Sequence, residues 1–361
     1  MSDMSHVSGT SLDPAADPRE LTAALVDVPS VSGDESALAD LVEDALRRFD
    51  HLHVDRHGDA VVARTTLGRP TRVVVAGHLD TVPIAGNVPS RVEGGRLYGC
   101  GSSDMKSGVA VMLHLAAALA APRHDVTWIY YDNEEVEAAR NGLGRLARDR
   151  RGCLDADLAI LMEPTSGDVE AGCQGTLRVE VSVPGTRAHS ARAWLGDNAI
   201  HKAGELLARL AGYDARRPTV DGLTYREGLN AVGVRGGVAG NVIPDECVVT
   251  VNYRFAPDRS EDHALAHVRG VLAPYACTVV DSSPGARPGL DRPLARDFVD
   301  VLGREPRPKY GWTDAARFSA LGIPALNYGP GDPNLAHTRD EHVELHRVTE
   351  CTRVLQAWLG G

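Results

Sequence analysis

One stretch, residues 71–83 with the sequence TRVVVAGHLDTVP, constrains what this chain can fold into more than any other. Its apolar run at 73–76 is typical of a strand covered on both faces of a parallel sheet, and Gly77 is predicted to end that strand. Residues i and i+2 of an extended chain point to the same side, so His78 and Asp80 can face one environment. A metal-ligating histidine with its supporting carboxylate fits this pair, and so does a surface histidine beside a turn aspartate.

Acidic side chains follow two further predicted strands. One strand ends in YDNEE, which presents Glu134 and Glu135 side by side, and another ends at Glu163. Asp104 lies in a glycine-rich loop before a predicted apolar helix. Taken singly, adjacent carboxylates are typical of solvated surface, and an aspartate before a helix is typical of an N-cap. Ligands of open α/β sheets bind outside the carboxyl ends of the strands, however, so parallel neighbours would bring these side chains and His78 into one cleft.

The remaining elements predict an α/β protein with an inserted smaller domain. Helices are predicted at 18–28, after residue 34, at 107–120, 197–211, 260–272 and 293–302, and as a closing helix to residue 359. Strands are predicted at 51–54, 60–64, 72–76, 126–131, 158–162, 175–183, 229–235, 247–255, 276–282 and 325–328, with a short hairpin at 92–98.

From residue 175 the element order becomes β-α-β-β-α-β, which is typical of a compact ferredoxin-like domain. Prolines and glycines at 284–289 indicate the return to the first domain. We therefore expect a catalytic domain in two parts, 1–174 and 290–361, with an inserted α+β domain at 175–289.

Composition excludes several classes of protein. The chain has 361 residues, which makes two domains the default, and no apolar run approaches the ~20 residues of a membrane span. The net charge is −11, from 38 basic and 49 acidic residues without a basic stripe, which argues against a nucleic-acid partner. Six cysteines without a CxxC pair indicate reduced thiols in a cytoplasmic protein. Residues 1–14 lack the pattern of a secretory signal, so we expect a frayed tail there.

The candidate site residues form a mixed set of nitrogen and oxygen donors. With His337 near the end of the chain, the set contains two histidines and three or four carboxylates. Such a set suits a pair of divalent ions such as zinc, cobalt or manganese, which one carboxylate can bridge at ~3.5–4 Å. Metals of this kind acidify a bridging water, and a carboxylate that is not a ligand takes its proton. Glu134 and Glu135 offer one glutamate for each task.

Five motifs occur in order along the chain, namely GHLDTVP, GCGSSDMKSG, DNEE, the glutamate of MEPT and the histidine of AHTRDEH. They resemble the metal-site motifs of the M20 family of co-catalytic metallopeptidases and deacylases, from about Pro18 to the end of the chain. The resemblance implies a zinc-peptidase-like catalytic domain with a mixed central sheet, two divalent metals per subunit with zinc favoured over cobalt, and a homodimer formed through the inserted domain.

The same resemblance implies a role for each motif residue. The implied metal ligands are His78 and Glu163 for one ion, Glu135 and His337 for the other, and Asp104 as the bridge. Asp80 would orient His78, and Glu134 would act as general acid and base. The family pattern also predicts a cis peptide bond between Asp104 and Met105.

Three segments resemble the actinobacterial branch of the family that hydrolyses N-succinyl-LL-2,6-diaminopimelate to succinate and LL-2,6-diaminopimelate. These segments are GTRAHSARAWLGDNAI, NVIPDECVVTVNYRF, and GWTDAARF together with YGPGDPNLAH. The implied catalytic residue is His189, which would stabilise the oxyanion in the partner subunit's site. The implied substrate-binding residues are Asn241, Arg254, Thr313, Arg317 and Gly329. A surface-loop role for His189 and a strand-end salt bridge for Arg254 are the alternatives.

Two departures leave the substrate open. Cys173 and Gln174 stand where many enzymes of that branch have paired arginines, and Thr313-Asp314-Ala315-Ala316 stands where they carry TSD. Another M20 deacylase or peptidase, such as an acetylornithine deacetylase or a carboxypeptidase, would use the same metal site. A binding protein without catalytic activity is a third hypothesis, and it requires the loss of a ligand that this sequence retains.

Overall fold

A computed structural model describes residues 11–360, and in it the chain divides into two units. The first unit comprises Met1–Ala171, Gly289–Arg307 and Arg317–Gly361, and the second comprises Gly172–Pro288 and Pro308–Ala316. The second unit begins and ends within three residues of the predicted insertion and also includes Pro308–Ala316, which we expected in the catalytic domain. Most of the predicted frayed tail lies outside the described residues, and within its described part Leu12 is buried.

The described residues contain helices at most of the predicted positions. They are α1 Pro18–Val26, α2 Ser36–Leu46, α3 Ser107–Ala118, α4 Gly142–Asp149, α5 Ala199–Ala211, α6 Glu261–Leu272, α7 Pro293–Leu302, α8 Ala315–Ala320 and α9 Leu345–Gly360. The start of α1 shows why the sequence forms a helix there. The Asp17 side chain accepts a hydrogen bond from the Arg19 amide at 2.9 Å, and Pro18 occupies the first turn. None of the helices between residues 11 and 360 has the length and apolar character needed to cross a membrane.

The strands of the described residues are numbered in chain order. They are β1 His53–His57, β2 Ala60–Arg64, β3 Arg72–His78, β4 Arg91–Glu93, β5 Arg96–Tyr98, β6 Asp125–Tyr131, β7 Leu158–Leu161, β8 Glu170–Ala171, β9 Gly175–Pro184, β10 Ala188–His189, β11 Thr219–Val220, β12 Leu223–Thr224, β13 Gly228–Gly236, β14 Val242–Ile243, β15 Glu246–Phe255, β16 Cys277–Ser283, β17 Arg307–Pro308, β18 Ala325–Asn327 and β19 His342–Glu344.

A mixed sheet with the order β1-β2-β6-β3-β7-β18-β8-β17 forms the centre of the first unit. The strands β6, β3, β7 and β18 run parallel to one another, whereas β1 and β2 on one side and β8 on the other are antiparallel to their neighbours. Every residue of β6 and β7 is buried, as expected for strands covered on both faces. The predicted mixed sheet is confirmed, and the carboxyl ends of β6, β3 and β7 lie at the same edge.

The prediction that Gly77 ends the third strand is wrong. Strand β3 continues through Gly77 to His78, which pairs with Tyr131 of β6. A side chain at Gly77 would approach Met105 Cε to 2.7 Å and Met112 Sδ to 3.0 Å. Gly77 therefore marks the close packing of Met105 and of Met112 in α3 on the strand, and not the end of the strand.

A four-stranded antiparallel sheet with the order β13-β15-β9-β16 forms the second unit. Alternate residues of β9 and β15 are buried together with the apolar faces of α5 and α6, as in Val179 with Leu206 and Val268. The predicted β-α-β-β-α-β element order is confirmed. Strand β13 lies at one end of this sheet, and among the described residues no further strand pairs with its second edge.

Candidate metal centre

Three metal-capable side chains meet beyond the carboxyl ends of β3 and β6. His78, Asp104 and Glu135 each offer a ligand atom, and all three atoms lie within 4.8 Å of one another. His337 joins them, since its Nε2 lies 2.7 Å from Glu135 Oε1 and 3.6 Å from Asp104 Oδ2. Four of the five predicted ligands therefore come together, although Asp104 is 233 positions before His337 in the chain.

The charge balance of this cluster favours a cation. Burial disfavours the charged form of His78, but the carboxylates of Asp104 and Asp80 outweigh burial and hold the pKa of its imidazole well above its ordinary value. The neighbouring carboxylates of Asp104 and Glu135 raise the pKa of His337 to about 10. Two imidazole nitrogens that face shared carboxylate oxygens form the mixed donor set that divalent zinc or cobalt accepts. These residues therefore fit the metal centre that the sequence predicts.

The loop that carries Asp104 is held by a buried carboxylate. Residues Ser102–Lys106 form a kinked turn before α3 with non-helical backbone at Asp104 and Met105, and the predicted cis peptide bond between these two residues is confirmed. Glu341 accepts hydrogen bonds from the amides of Gly101, Ser103 and Asp104 at 3.1, 2.9 and 3.0 Å. Burial raises the pKa of Glu341 to about 7, although the backbone amides act in the opposite direction.

The Asp80 carboxylate faces His78 and also accepts hydrogen bonds from backbone amides. Nδ1 of His78 lies 3.0 Å from the Asp80 backbone carbonyl oxygen and 3.5 Å from the carboxylate atom Oδ1. The carboxylate accepts the Glu134 amide at 2.9 Å and the Glu135 amide at 3.0 Å, and it also accepts the Ser32 hydroxyl at 2.7 Å. The orienting role of Asp80 stays a prediction, and its contacts add a second one, which is to hold the backbone of the glutamate pair.

Glu163 follows β7 and is buried, with 6% of its surface exposed. It does not belong to the group of mutually close ligand atoms among residues 11–360, so its place in the centre stays a prediction. Gly329 supports the backbone there, because a side chain on it would collide with the carbonyl oxygens of Met162 and Glu163. This steric role differs from the substrate contact predicted for Gly329.

Two of the other predicted site residues are neighbours in the second unit. His189 of β10 pairs with Val242 of β14, and the amide of Ser190 donates to the carbonyl of Asn241 at 2.9 Å. Both His189 and Asn241 are exposed, as a role in binding requires.

The remaining predicted substrate residues are distributed over both units. Arg254 is exposed near the end of β15, and Thr313 is buried, with its carbonyl oxygen 3.7 Å from the Cys173 thiol. Arg317 belongs to the first unit, where its guanidinium lies over Gly144. The substrate-binding roles of these residues stay predictions.

Two buried glutamates that support the site were not predicted from the sequence. Glu341 lies within the AHTRDEH motif, from which only the histidine was used. Glu35 has no exposed surface and directly precedes α2. A glutamate is common at the start of a helix, so its position drew no attention. Neither carries a local signal of burial, since polar residues flank both, namely Asp34 and Ser36 beside Glu35 and Asp340 and His342 beside Glu341.

Comparison with known proteins gives the family. The sequence profile of Peptidase family M20/M25/M40 matches residues 74–360. The chain belongs to this family. A succinyl-diaminopimelate desuccinylase of Corynebacterium glutamicum is 50% identical to this chain over 359 residues, covering 96% of this chain and 97% of the relative. A Mycobacterium tuberculosis protein, provisionally named succinyl-diaminopimelate desuccinylase DapE, is 60% identical over 353 residues, covering 97% of this chain and 100% of the relative.

Solved structures of other proteins share the fold at much lower identity. A tripeptidase from Staphylococcus aureus aligns with a TM-score of 0.78 at 20% identity, covering 97% of this chain and 98% of the other. A Bacillus subtilis protein described as a dinuclear metal-binding peptidase of the M20 family aligns with a TM-score of 0.68 at 16% identity, covering 94% and 96%. These alignments confirm the predicted fold class.

Proposed function

We propose that this protein is a metal-dependent amide hydrolase that converts N-succinyl-LL-2,6-diaminopimelate and water to succinate and LL-2,6-diaminopimelate. This reaction belongs to diaminopimelate and lysine biosynthesis. The cluster of His78, Asp104, Glu135 and His337 supports the hydrolytic chemistry. The substrate rests on one finding, the 50% identity over nearly the whole chain to a relative that carries the name of this activity.

The residues proposed to hold two divalent ions are His78 and Glu163, Glu135 and His337, with Asp104 between them. Zinc is our first choice and cobalt our second, because both accept imidazole and carboxylate ligands in one site. When bound, such ions polarise the amide carbonyl and acidify water. The oxygen-rich donor set provides the negative charge that two dications need.

Glu134 is the proposed proton carrier of the reaction. Its carboxylate accepts a proton from the attacking water, whose oxygen forms the new bond to the amide carbon. The C–N bond then breaks, and Glu134 returns the proton to the departing amine, so that succinate and the free amino group leave. The Glu134 backbone is fixed by its hydrogen bond to Asp80, which limits the directions that the side chain can take.

We also propose that the active protein is a cytoplasmic homodimer. In the dimer, His189 of one subunit donates a hydrogen bond to the oxyanion formed in the other subunit's site. Asn241 and Arg254 bind a substrate carboxylate, and Thr313, Arg317 and Gly329 line the site. The edge of β13 that no strand of residues 11–360 covers and the exposed Trp194 near His189 support a subunit contact in this unit. The six cysteines, all free thiols, support a reducing compartment.

A direct assay tests the proposed function. Purified protein with added zinc or cobalt is given N-succinyl-LL-2,6-diaminopimelate, N-acetylornithine or a dipeptide, each with and without a chelator. We expect selective hydrolysis of the succinylated substrate and its loss with the chelator. Selective hydrolysis of another substrate would preserve the metal chemistry and refute the substrate, and no hydrolysis of any would favour a binding protein.

A further inference from the structure

The backbone amides of Asn133, Glu134 and Glu135 each donate a hydrogen bond to a buried carboxylate. The amide of Asn133 donates to Glu35 Oε1 at 3.0 Å, while those of Glu134 and Glu135 donate to Asp80. Asn133 has a positive φ of 57°, a conformation that turns successive amides toward one side. Glu35 and Asp80 together therefore determine the direction in which this turn presents its side chains.

Glu35 is itself held rigidly against the end of β3. Its second oxygen accepts the Gly33 amide at 2.8 Å. The preceding backbone runs beside β3, since the Ser32 amide donates to the Thr81 carbonyl at 3.1 Å and the Ser30 hydroxyl donates to the Leu79 carbonyl at 2.7 Å. Helix α2 begins immediately afterwards at Ser36. The carboxylate is thus fixed from both sides, which is what a positioning group requires.

We propose that Glu35 is a positioning residue for hydrolysis, acting through the Asn133 amide to fix the backbone from which Glu134 and Glu135 project. This inference rests on the proposed function, in which Glu134 carries the proton. Glu35 makes no contact with the reacting atoms in this role. Supporting groups that orient site residues commonly affect activity ~10–100-fold when removed.

The test variant is Glu35→Gln in the full-length, metal-saturated protein. Glutamine has one acceptor oxygen and an NH₂ group, so one of the two amides that Glu35 binds would face a donor. We expect hydrogen exchange at amides 133–135 to become at least ~10-fold faster and kcat to fall ~10–100-fold, with KM changed less than ~2-fold.

Asp125→Asn is the matched control. Asp125 is also buried and accepts two backbone amides, those of Leu67 at 2.8 Å and Arg69 at 2.9 Å. It lies at the other end of β6, about 20 Å of strand away from the turn. The control removes one oxygen of a comparable carboxylate, so it should lower stability while exchange at 133–135 and kcat stay at wild-type values.

Equal effects of the two substitutions on kcat, or unchanged exchange at 133–135 in Glu35→Gln, would overturn the inference. Absence of turnover by the wild type would instead refute the proposed function, and the exchange measurement would still decide the role of Glu35. If Glu35→Gln does not fold, Glu35→Asp keeps the charge on a shorter side chain and is expected to speed exchange at the same amides.

Discussion

Glu134 is the residue on which the proposed proton transfer depends. It is not one of the proposed ligands, so Glu134→Gln should bind metal with wild-type stoichiometry. Because amide nitrogen cannot accept the proton, we expect kcat to fall by about 10²–10⁴-fold. Metal content by mass spectrometry and turnover of the succinylated substrate check both statements, and undiminished turnover would exclude Glu134 as the base.

Individual residues show which parts of the site a sequence can reveal. His78, Asp104, Glu135 and His337 were predicted because each lies in a local motif at a strand end or loop. Glu35 was not, because its partner amide is 98 positions away and any segment supplies an amide. Backbone groups leave no pattern in sequence, so the residues that bind them are visible only in the folded chain.

At the scale of elements, Gly108 controls how closely α3 approaches β7. A side chain there would come within 2.5 Å of the Met162 carbonyl oxygen and 2.8 Å of Met162 Cβ. Backbone cannot move aside as a flexible side chain does, so Gly108→Ala should destabilise the fold by about 1–3 kcal/mol in urea unfolding, as overpacking commonly does. It should also weaken metal binding, since Met162 precedes Glu163.

Gly204→Ala is the control for this prediction. Gly204 lies inside α5, and a side chain there meets nothing within 4 Å. Alanine favours a helix over glycine by about 1 kcal/mol, so this substitution should stabilise the protein. Destabilisation of both variants to the same degree would mean that the contact with Met162 is not the cause.

Elements were predictable where local chemistry defines them. The capped start of α1 at Asp17 and Pro18 is an example, as is α7, which was predicted near residues 293–302 and is observed at Pro293–Leu302. Two-residue strands such as β8 and β17 were missed, because they exist only through their neighbours in the sheet. Gly77 was misinterpreted for the same reason, since its closeness to α3 is a tertiary property.

At the scale of the whole molecule, stability in acid depends on Glu227, a buried glutamate of the second unit. Glu227 is buried and accepts hydrogen bonds from Arg216 at 2.7 Å, from the Tyr253 hydroxyl at 2.7 Å and from the Ala256 amide at 3.1 Å. Burial opposes ionisation, but Arg216 and these donors outweigh it and lower the pKa of Glu227. Its stabilising contribution is therefore complete above the unfolded pKa of ~4.3 and is lost as pH falls through the lower folded pKa.

Glu227→Gln should consequently lower the free energy of unfolding most at neutral pH. Glutamine cannot satisfy all the donors that meet the Glu227 carboxylate, while Arg216 keeps its ion pair with Asp258 at 2.9 Å. We therefore expect a loss of about 1–3 kcal/mol at pH 7 that shrinks below pH ~4. Urea unfolding at both pH values measures the difference. Glu205→Gln, on the exposed face of α5, is the control and should change little at either pH. A loss of unfolding free energy that is independent of pH would contradict the stabilising role of ionised Glu227.

The division of the chain was predictable from sequence only in part. The change to a β-α-β-β-α-β order located the second unit to within a few residues, because that order is a local property. Residues 308–316 cluster with the second unit although they follow α7 of the first. Dividing the chain into consecutive segments fails there, since this short segment carries no change in composition or pattern.

The sheet of the second unit predicts that two chains associate. Within residues 11–360, one edge of strand β13 has no paired strand, and the strand exposes two apolar side chains, Val232 at 60% and Val234 at 52%. A second copy can cover this surface, whereas aspartate at both positions would place charge in the contact at little cost to the isolated fold. We expect the wild type to sediment near twice the chain mass of 38.5 kDa and the double aspartate variant near 38.5 kDa.

Loss of the dimer should lower kcat, because His189 is proposed to act across subunits. The double variant should lose most of its kcat while keeping wild-type metal stoichiometry. Val301→Asp on α7, where the valine is 46% exposed in the first unit, is the matched control and should remain dimeric and active. A monomeric wild type, or a monomeric variant with full activity, would refute the role of the partner's His189 because each site would then be complete within one chain.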